Sequence, residues 1–101
     1  MKPIIIHDQA KQELDQSIGY YEQQKQGLGL DFLAEVETAL EKIKLNPNIG
    51  LSYTIKGLRR YVMRPFPYSI FYAELAGFIW VVAIAHSKRK PDYWKKRRLD
   101  N

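Results

Sequence analysis

The sequence predicts an α+β fold in the order βααβββ, a helical hairpin packed on a mostly antiparallel sheet. Three observations carry this. Apolar side chains between residues 8 and 46 recur at steps of three and four, the period of one helix face. From Leu51 onward the pattern changes to short runs rich in β-branched and aromatic residues, separated by turn-forming pairs. Helices and strands are therefore segregated along the chain, which places the helices together on one face of the sheet.

Ile4-Ile5-Ile6 is short and β-branched and predicts the first strand. Asp8 follows as a candidate helix N-cap, since its carboxylate can accept from free N–H groups of the first turn. Ala10, Leu14, Ile18 and Tyr21 share one face of a helix over residues 8–26. Gly19 lies inside it and marks a candidate close approach to a neighbour. Gly27-Leu28-Gly29 breaks the pattern. A second helix over residues 28–46 carries Phe32, Val36, Leu40 and Ile43 on its stripe, with Leu33 and Ala39 beside it. Asn46-Pro47-Asn48 ends it, because proline cannot continue a helix. Two helices joined by so short a turn are expected to pack antiparallel.

A short extended piece near Ser52–Ile55 leads to a turn at Lys56-Gly57, then to strands over Leu58–Arg64, Tyr68–Leu75 and Phe78–His86. Alternation puts Tyr68, Ile70 and Tyr72 on one face and Ser69, Phe71 and Ala73 on the other. Residues 79–85 show no alternation, so this strand is expected to be central and covered on both sides. Ser87 to Arg98 form a basic, aromatic-bearing tail, with one or two helical turns expected after Pro91.

At 101 residues and 46% apolar content, the chain is expected to form one domain over residues 1–101. It has no cysteine, which excludes disulfides, cysteine-based zinc sites and thiol catalysis. The longest apolar run, Phe78 to Ala85, is far shorter than the ~20 residues of a membrane helix. Met1 to Asp8 is too short in apolar content for a signal peptide, so a cytoplasmic location with no membrane contact is expected.

Charge is distributed unevenly. Residues 1–50 carry five basic and eight acidic side chains, whereas residues 51–101 carry eleven basic and three acidic. A net of +8 in one half points to a face made for a polyanion or an acidic protein. No cofactor or metal is expected: His7 and His86 come from different strands, and no acidic cluster has ligand spacing. Gly27-x-Gly29 stands between two helices, not after a strand, so it is a turn and not a phosphate loop.

The strongest chemical signal is the basic and aromatic content of the last strands and the tail. Lys56, Arg59, Arg60 and Arg64 precede it; His86, Lys88, Arg89, Lys90, Tyr93 and Trp94 complete it. Antiparallel pairing could bring Arg60, Tyr68 and His86 together. Lysine and arginine neutralise phosphates, aromatic rings stack on bases, and histidine can move a proton near neutral pH. Each feature also has a structural reading. His86 can be a hydrogen-bonded strand end, Tyr93-Trp94 an anchor for the tail, and Lys95-Lys96-Arg97-Arg98 a solvated end.

The chain resembles the RelE/ParE superfamily of toxins from bacterial type II toxin–antitoxin systems, also labelled plasmid stabilisation proteins. The resemblance is carried by Ala10-x-x-Glu13-Leu14 with Tyr20-Tyr21-Glu22, and by Gly29-x-x-Phe32-x-x-Glu35-Val36-Glu37 with Ile43 and Pro47. It continues through Arg59-Arg60, Phe66-Pro67-Tyr68-Ser69-Ile70-Phe71-Tyr72 and Val82-Ala83-Ile84-Ala85-His86-x-x-Arg89-x-Pro91-x-Tyr93-Trp94. It implies the βααβββ fold and a toxin held in a hetero-oligomer by a cognate, acidic antitoxin whose disordered segment folds on binding. RelE-like members cleave messenger RNA on the ribosome with basic side chains and an aromatic hydroxyl; ParE-like members generally lack these and inhibit DNA gyrase.

Position by position, Arg60, Lys88 and Tyr93 or Trp94 match RelE-like functional positions. Val62 stands where a second strand lysine would be, and Ser69 where an arginine follows the tyrosine. The missing arginine removes a permanently charged phosphate clamp. The resemblance therefore implies a ParE-like toxin that binds gyrase without catalysis, through Arg59, Arg60, Arg64, Lys88, Arg89, Lys90, Tyr93 and Trp94. The alternative is a metal-independent endoribonuclease acting on ribosome-bound messenger RNA, with Arg60, His86, Lys88 and Tyr93 as catalytic candidates. A third reading is a degenerate relative that binds only its antitoxin.

Overall fold

A computed structural model describes residues 1–99. Strand β1 (Ile4–Ile6) leads into helix α1 (Asp8–Gln24) and helix α2 (Leu28–Leu45). Four strands follow: β2 (Leu51–Ser52), β3 (Arg59–Val62), β4 (Tyr68–Glu74) and β5 (Ile79–His86). The sheet order is β1-β5-β4-β3-β2, with β1 parallel to β5 and every other pair antiparallel. The α+β architecture is the expected one, and among the described residues no helix is long and apolar enough to cross a membrane.

Helix α1 starts at residue 8 as expected, but its cap differs. His7, not Asp8, is the N-cap: its backbone is extended and its Nδ1 accepts the Gln9 N–H at 3.0 Å. Asp8 is instead the first helical residue, where a carboxylate faces the positive end of the helix dipole. Ala10, Leu14, Ile18 and Tyr21 all face the core, as their spacing predicts. Helix α1 ends at Gln24, two residues early, and Gly27 turns the chain with φ at +88°. Glu22 then accepts from the N–H groups of Gly27 and Gly29, at 2.9 and 3.0 Å, and so caps the start of α2.

The close approach between the helices is at Gly29, not at Gly19. A Cβ on Gly19 would have open space, whereas one on Gly29 would lie 2.6 Å from the Ile18 carbonyl oxygen. Gly29→Ala is therefore expected to push the hairpin apart and cost about 2–3 kcal/mol, in the range of overpacked cores. A urea-unfolding midpoint unchanged from wild type would contradict this contact, while Gly19→Ala is expected to be neutral or stabilising.

Phe32, Val36, Ala39 and Ile43 of α2 are buried with Leu40 packed against them, and they cover Tyr68, Ile70, Tyr72, Ile79, Val81 and Ile84. The opposite sheet face buries Phe71, Val82, Ala83 and Ala85 under Trp94, with Tyr53, Ile55 and Leu58 beside them. Strand β5 thus has cover on both sides. It lies inside the sheet between β1 and β4, and β4 occupies the middle.

Its lack of alternation has a geometric cause. Phe71 pairs with Ala83 but Tyr72 pairs with Val81, so Val82 is an extra residue in a β-bulge. Val81 and Ile84 face the helices, while Val82 and Ala83 both face the other side. Elements elsewhere are shorter than expected. The piece near residues 52–55 pairs only at Leu51–Ser52, β3 runs over Arg59–Val62, and β4 and β5 each lose one residue at their shared turn. The tail forms successive three-residue turns, such as Lys95 N–H to Asp92 oxygen at 3.0 Å and Arg97 N–H to Trp94 oxygen at 2.9 Å.

Candidate functional site

Strand β1 has only three residues, so the β5 edge past Val81 has no strand beside it. Two side chains close that edge instead. Glu13 of α1 accepts the Ile84 N–H at 3.1 Å, and Arg97 of the tail donates to the Val82 carbonyl at 2.9 Å. Arg97 also grips both oxygens of Glu13, at 3.0 and 2.9 Å, and the Tyr93 hydroxyl donates to the same carboxylate. The ion pair is only 11–12% exposed. Glu13, Tyr93 and Arg97 therefore latch the tail to the first helix. Trp94, 2% exposed, packs its ring 4.7 Å from Phe71, and Tyr53 donates to Asp92 at 2.7 Å.

This corrects two expectations. Trp94, expected to bind the target, is a core side chain that anchors the tail, its ring buried against Phe71. Arg97 is neither solvated nor available to a polyanion, because Glu13 neutralises it. Sequence reasoning had no signal for the Glu13–Arg97 pairing, which joins residues far apart in the chain, although Glu13 lies in the segment that carries the family resemblance.

The latched tail and the sheet enclose a cleft of about 140 Å³, bordered by Arg60, Ser69, His86, Arg89, Lys90 and Tyr93. This is below the ~300 Å³ at which small-molecule sites begin, and the cleft is open. Arg60 lies on the tail side of the sheet, paired with Phe71, and its Nε donates to Ser69 Oγ at 3.3 Å. Arg89 lies 3.9 Å over the Tyr93 ring. His86 pairs with Tyr68, and their rings meet edge to face at 5.1 Å. That register brings Tyr68 and His86 together but leaves Arg60 on the other side of the sheet, since Tyr68 faces the helices. His86 meets the cleft only at the end of β5, and its Nδ1 accepts the Lys88 N–H at 3.0 Å, the hydrogen-bonded strand end foreseen as one reading.

The remaining candidates do not converge on the cleft. Arg59, one residue from Arg60 in the strand, donates to the Gly50 carbonyl at 2.8 Å. Arg64 borders a separate groove between α2 and β3. Lys88 is exposed beyond β5 and does not border the cleft. Among the described residues the ion pairs are Arg97–Glu13 and Lys2–Glu74, so Arg60, Lys88, Arg89 and Lys90 hold their charge without a carboxylate partner.

Burial first, and then the hydrogen bond to Glu13, hold the Tyr93 hydroxyl protonated far above the ordinary tyrosine range. Tyr72 is raised by burial, Tyr53 by its bond to Asp92 and Tyr21 by burial. The folded state thus favours the neutral phenols, while an unfolded chain ionises them from pH 10 upward. Stability from these groups is present below pH 10 and falls as pH rises beyond it. Urea midpoints are expected to drop between roughly pH 10 and 11.5, and to drop less steeply in Tyr93→Phe. Equal slopes in the two proteins would remove Tyr93 from this account.

A two-helix hairpin on one side of a mixed five-stranded sheet, with a turn-rich basic tail latched across the other, defines a class of small α+β folds. In fold the chain is similar to a solved structure described as a chromosomal ParDE TA system from P. aeruginosa, with a TM-score of 0.68. The two share 18% identity over 87% of this chain and 98% of that one. Comparison with curated proteins finds no match. The family model described as ParE toxin of type II toxin-antitoxin system, parDE, matches residues 4–91. The chain belongs to this family of ParE toxins.

Proposed function

We propose that this toxin arrests growth by binding DNA gyrase, without catalysis of its own, and that a cognate antitoxin neutralises it in a hetero-oligomer. Its site of action on this reading is the cytoplasm. The observation that carries the non-catalytic part is how the four nuclease candidates are held, three of them at the cleft and Lys88 outside it. The Tyr93 hydroxyl is bound to Glu13 and held protonated, His86 Nδ1 is occupied by a backbone N–H, and Lys88 lies outside the cleft. Arg60 can clamp an anion but cannot shuttle protons, and Tyr93 is committed to Glu13, which leaves His86 as the one proton-transfer group among the candidates at the cleft. The ParE family match favours gyrase as the target, and the cations around the cleft suit a partner with an acidic surface.

The test is induced expression with growth, messenger RNA integrity and plasmid supercoiling as readouts, alongside purified protein added to gyrase and to a translating extract. Wild type and His86→Ala are expected to arrest growth equally, with intact messages and inhibited supercoiling. Cleaved messages that disappear in His86→Ala would install the ribosome-dependent nuclease instead, since loss of a proton-transfer group costs roughly 10²–10⁴-fold in rate. Growth without arrest in a folded, soluble protein would leave only the antitoxin-binding reading.

A further inference from the structure

The sheet face opposite the helices carries a second depression, next to the cleft and separated from it by Trp94. It holds about 380 Å³ between the 53–58 segment and the tail. Ile55, Leu58, Trp80, Val82 and Leu99 supply apolar walls. Leu99 is 50% exposed and Trp80 half-buried, so apolar surface stands open to water here. Lys56 and Lys95 are exposed on the same groove. Among the described residues, the one acidic side chain bordering it, Glu74, is held by Lys2 at 2.9 Å.

We propose that this groove seats an acidic, leucine-bearing segment of the antitoxin, with apolar side chains against Leu58, Trp80 and Leu99 and carboxylates toward Lys56 and Lys95. The proposal rests on the toxin–antitoxin reading and adds the place and the chemistry of the contact. Two properties of the groove select this occupant. Its apolar walls gain by losing water, which requires apolar side chains from the partner; a phosphate backbone brings none. Its uncompensated lysines attract carboxylates and repel a basic segment. The groove between α2 and β3 offers no such selection, because Glu35 stands there with Lys42 and Arg64. Neither the hydrophobic nor the electrostatic half depends on gyrase being the toxin's target.

The probe is the antitoxin whose co-expression relieves growth arrest, titrated calorimetrically onto the full-length toxin and its variants. Leu99→Glu and the charge reversal Lys56→Glu/Lys95→Glu are each expected to weaken binding at least about tenfold, or 1.4 kcal/mol. Lys42→Glu, on the α2–β3 groove, is expected to stay within about twofold. The effect of the charge reversal is expected to shrink as salt is raised, because rim charges act through screened attraction. In cells the charge-reversed toxin is expected to arrest growth yet escape rescue. All four altered positions are exposed, and a thermal melt checks that each variant folds. Wild-type affinity in both groove variants, or a loss confined to Lys42→Glu, would overturn the proposal while leaving the toxin–antitoxin reading intact. Failure of any antitoxin to bind the wild type would remove that reading, and this one with it.

Discussion

Glu13→Ala is expected to destabilise the protein by about 3–5 kcal/mol, the range for removing one partner of a largely buried ion pair. The carboxylate receives four hydrogen bonds from three places: the Ile84 N–H, the Tyr93 hydroxyl and two from Arg97. Alanine leaves a guanidinium that is 11% exposed facing no counter-charge, and a strand N–H facing no acceptor. Small proteins are stable by only ~5–15 kcal/mol, so this loss is a large share of the whole. Glu13→Gln retains an acceptor for Ile84 and is expected to cost clearly less. Glu13→Leu with Arg97→Met removes both charges and is expected to recover most of the loss, since no buried charge is then left alone. Urea unfolding of the single and double variants measures this. A midpoint in Glu13→Ala within error of wild type would mean that the latch does not hold the tail.

Trp94→Ala is expected to cost about 3–5 kcal/mol by leaving a cavity against Phe71 and Tyr53. The functional consequence is wider than the stability loss. Trp94 borders both the cationic cleft and the apolar groove, so its removal opens the two into one another. Toxicity and antitoxin binding are therefore expected to fall together. Trp94→Phe refills part of the volume and is expected to restore both in parallel with the melting temperature. A Trp94→Ala protein that melts like wild type but has lost toxicity would make the indole a contact residue after all.

Much of this fold is legible in the chain. Tyr68, Ile70 and Tyr72 against Ser69, Phe71 and Ala73 sort onto the predicted faces, because strand alternation is a local property. The helix stripes are legible for the same reason. The N-cap of α1 is His7 and not Asp8 because an imidazole can accept like a carboxylate, and only the extended backbone at His7 decides which residue caps. Gly19 and Gly29 are indistinguishable in sequence; the crossing of α1 over α2 decides that Gly29 alone must lack a side chain.

The site was legible in composition and not in arrangement. The basic half, the aromatic pair in the tail and the family resemblance can all be read from residues in order. Which of those charges remain available cannot be, because pairing acts through space: Arg97 is neutralised by Glu13, across most of the chain, while Arg89 and Lys90 stay open. The bulge at Val82 shifts one strand by a residue, and the short β1 leaves an edge for Glu13 and Arg97 to close. The sequence by itself determined the element types, the α+β class and the excess positive charge, since each follows from local periodicity or from counting. Tertiary structure alone decided that the tail is latched, that Trp94 is core and that Tyr93 is tied to Glu13 while Lys88 lies outside the cleft, because burial and hydrogen-bond partners exist only once distant segments meet.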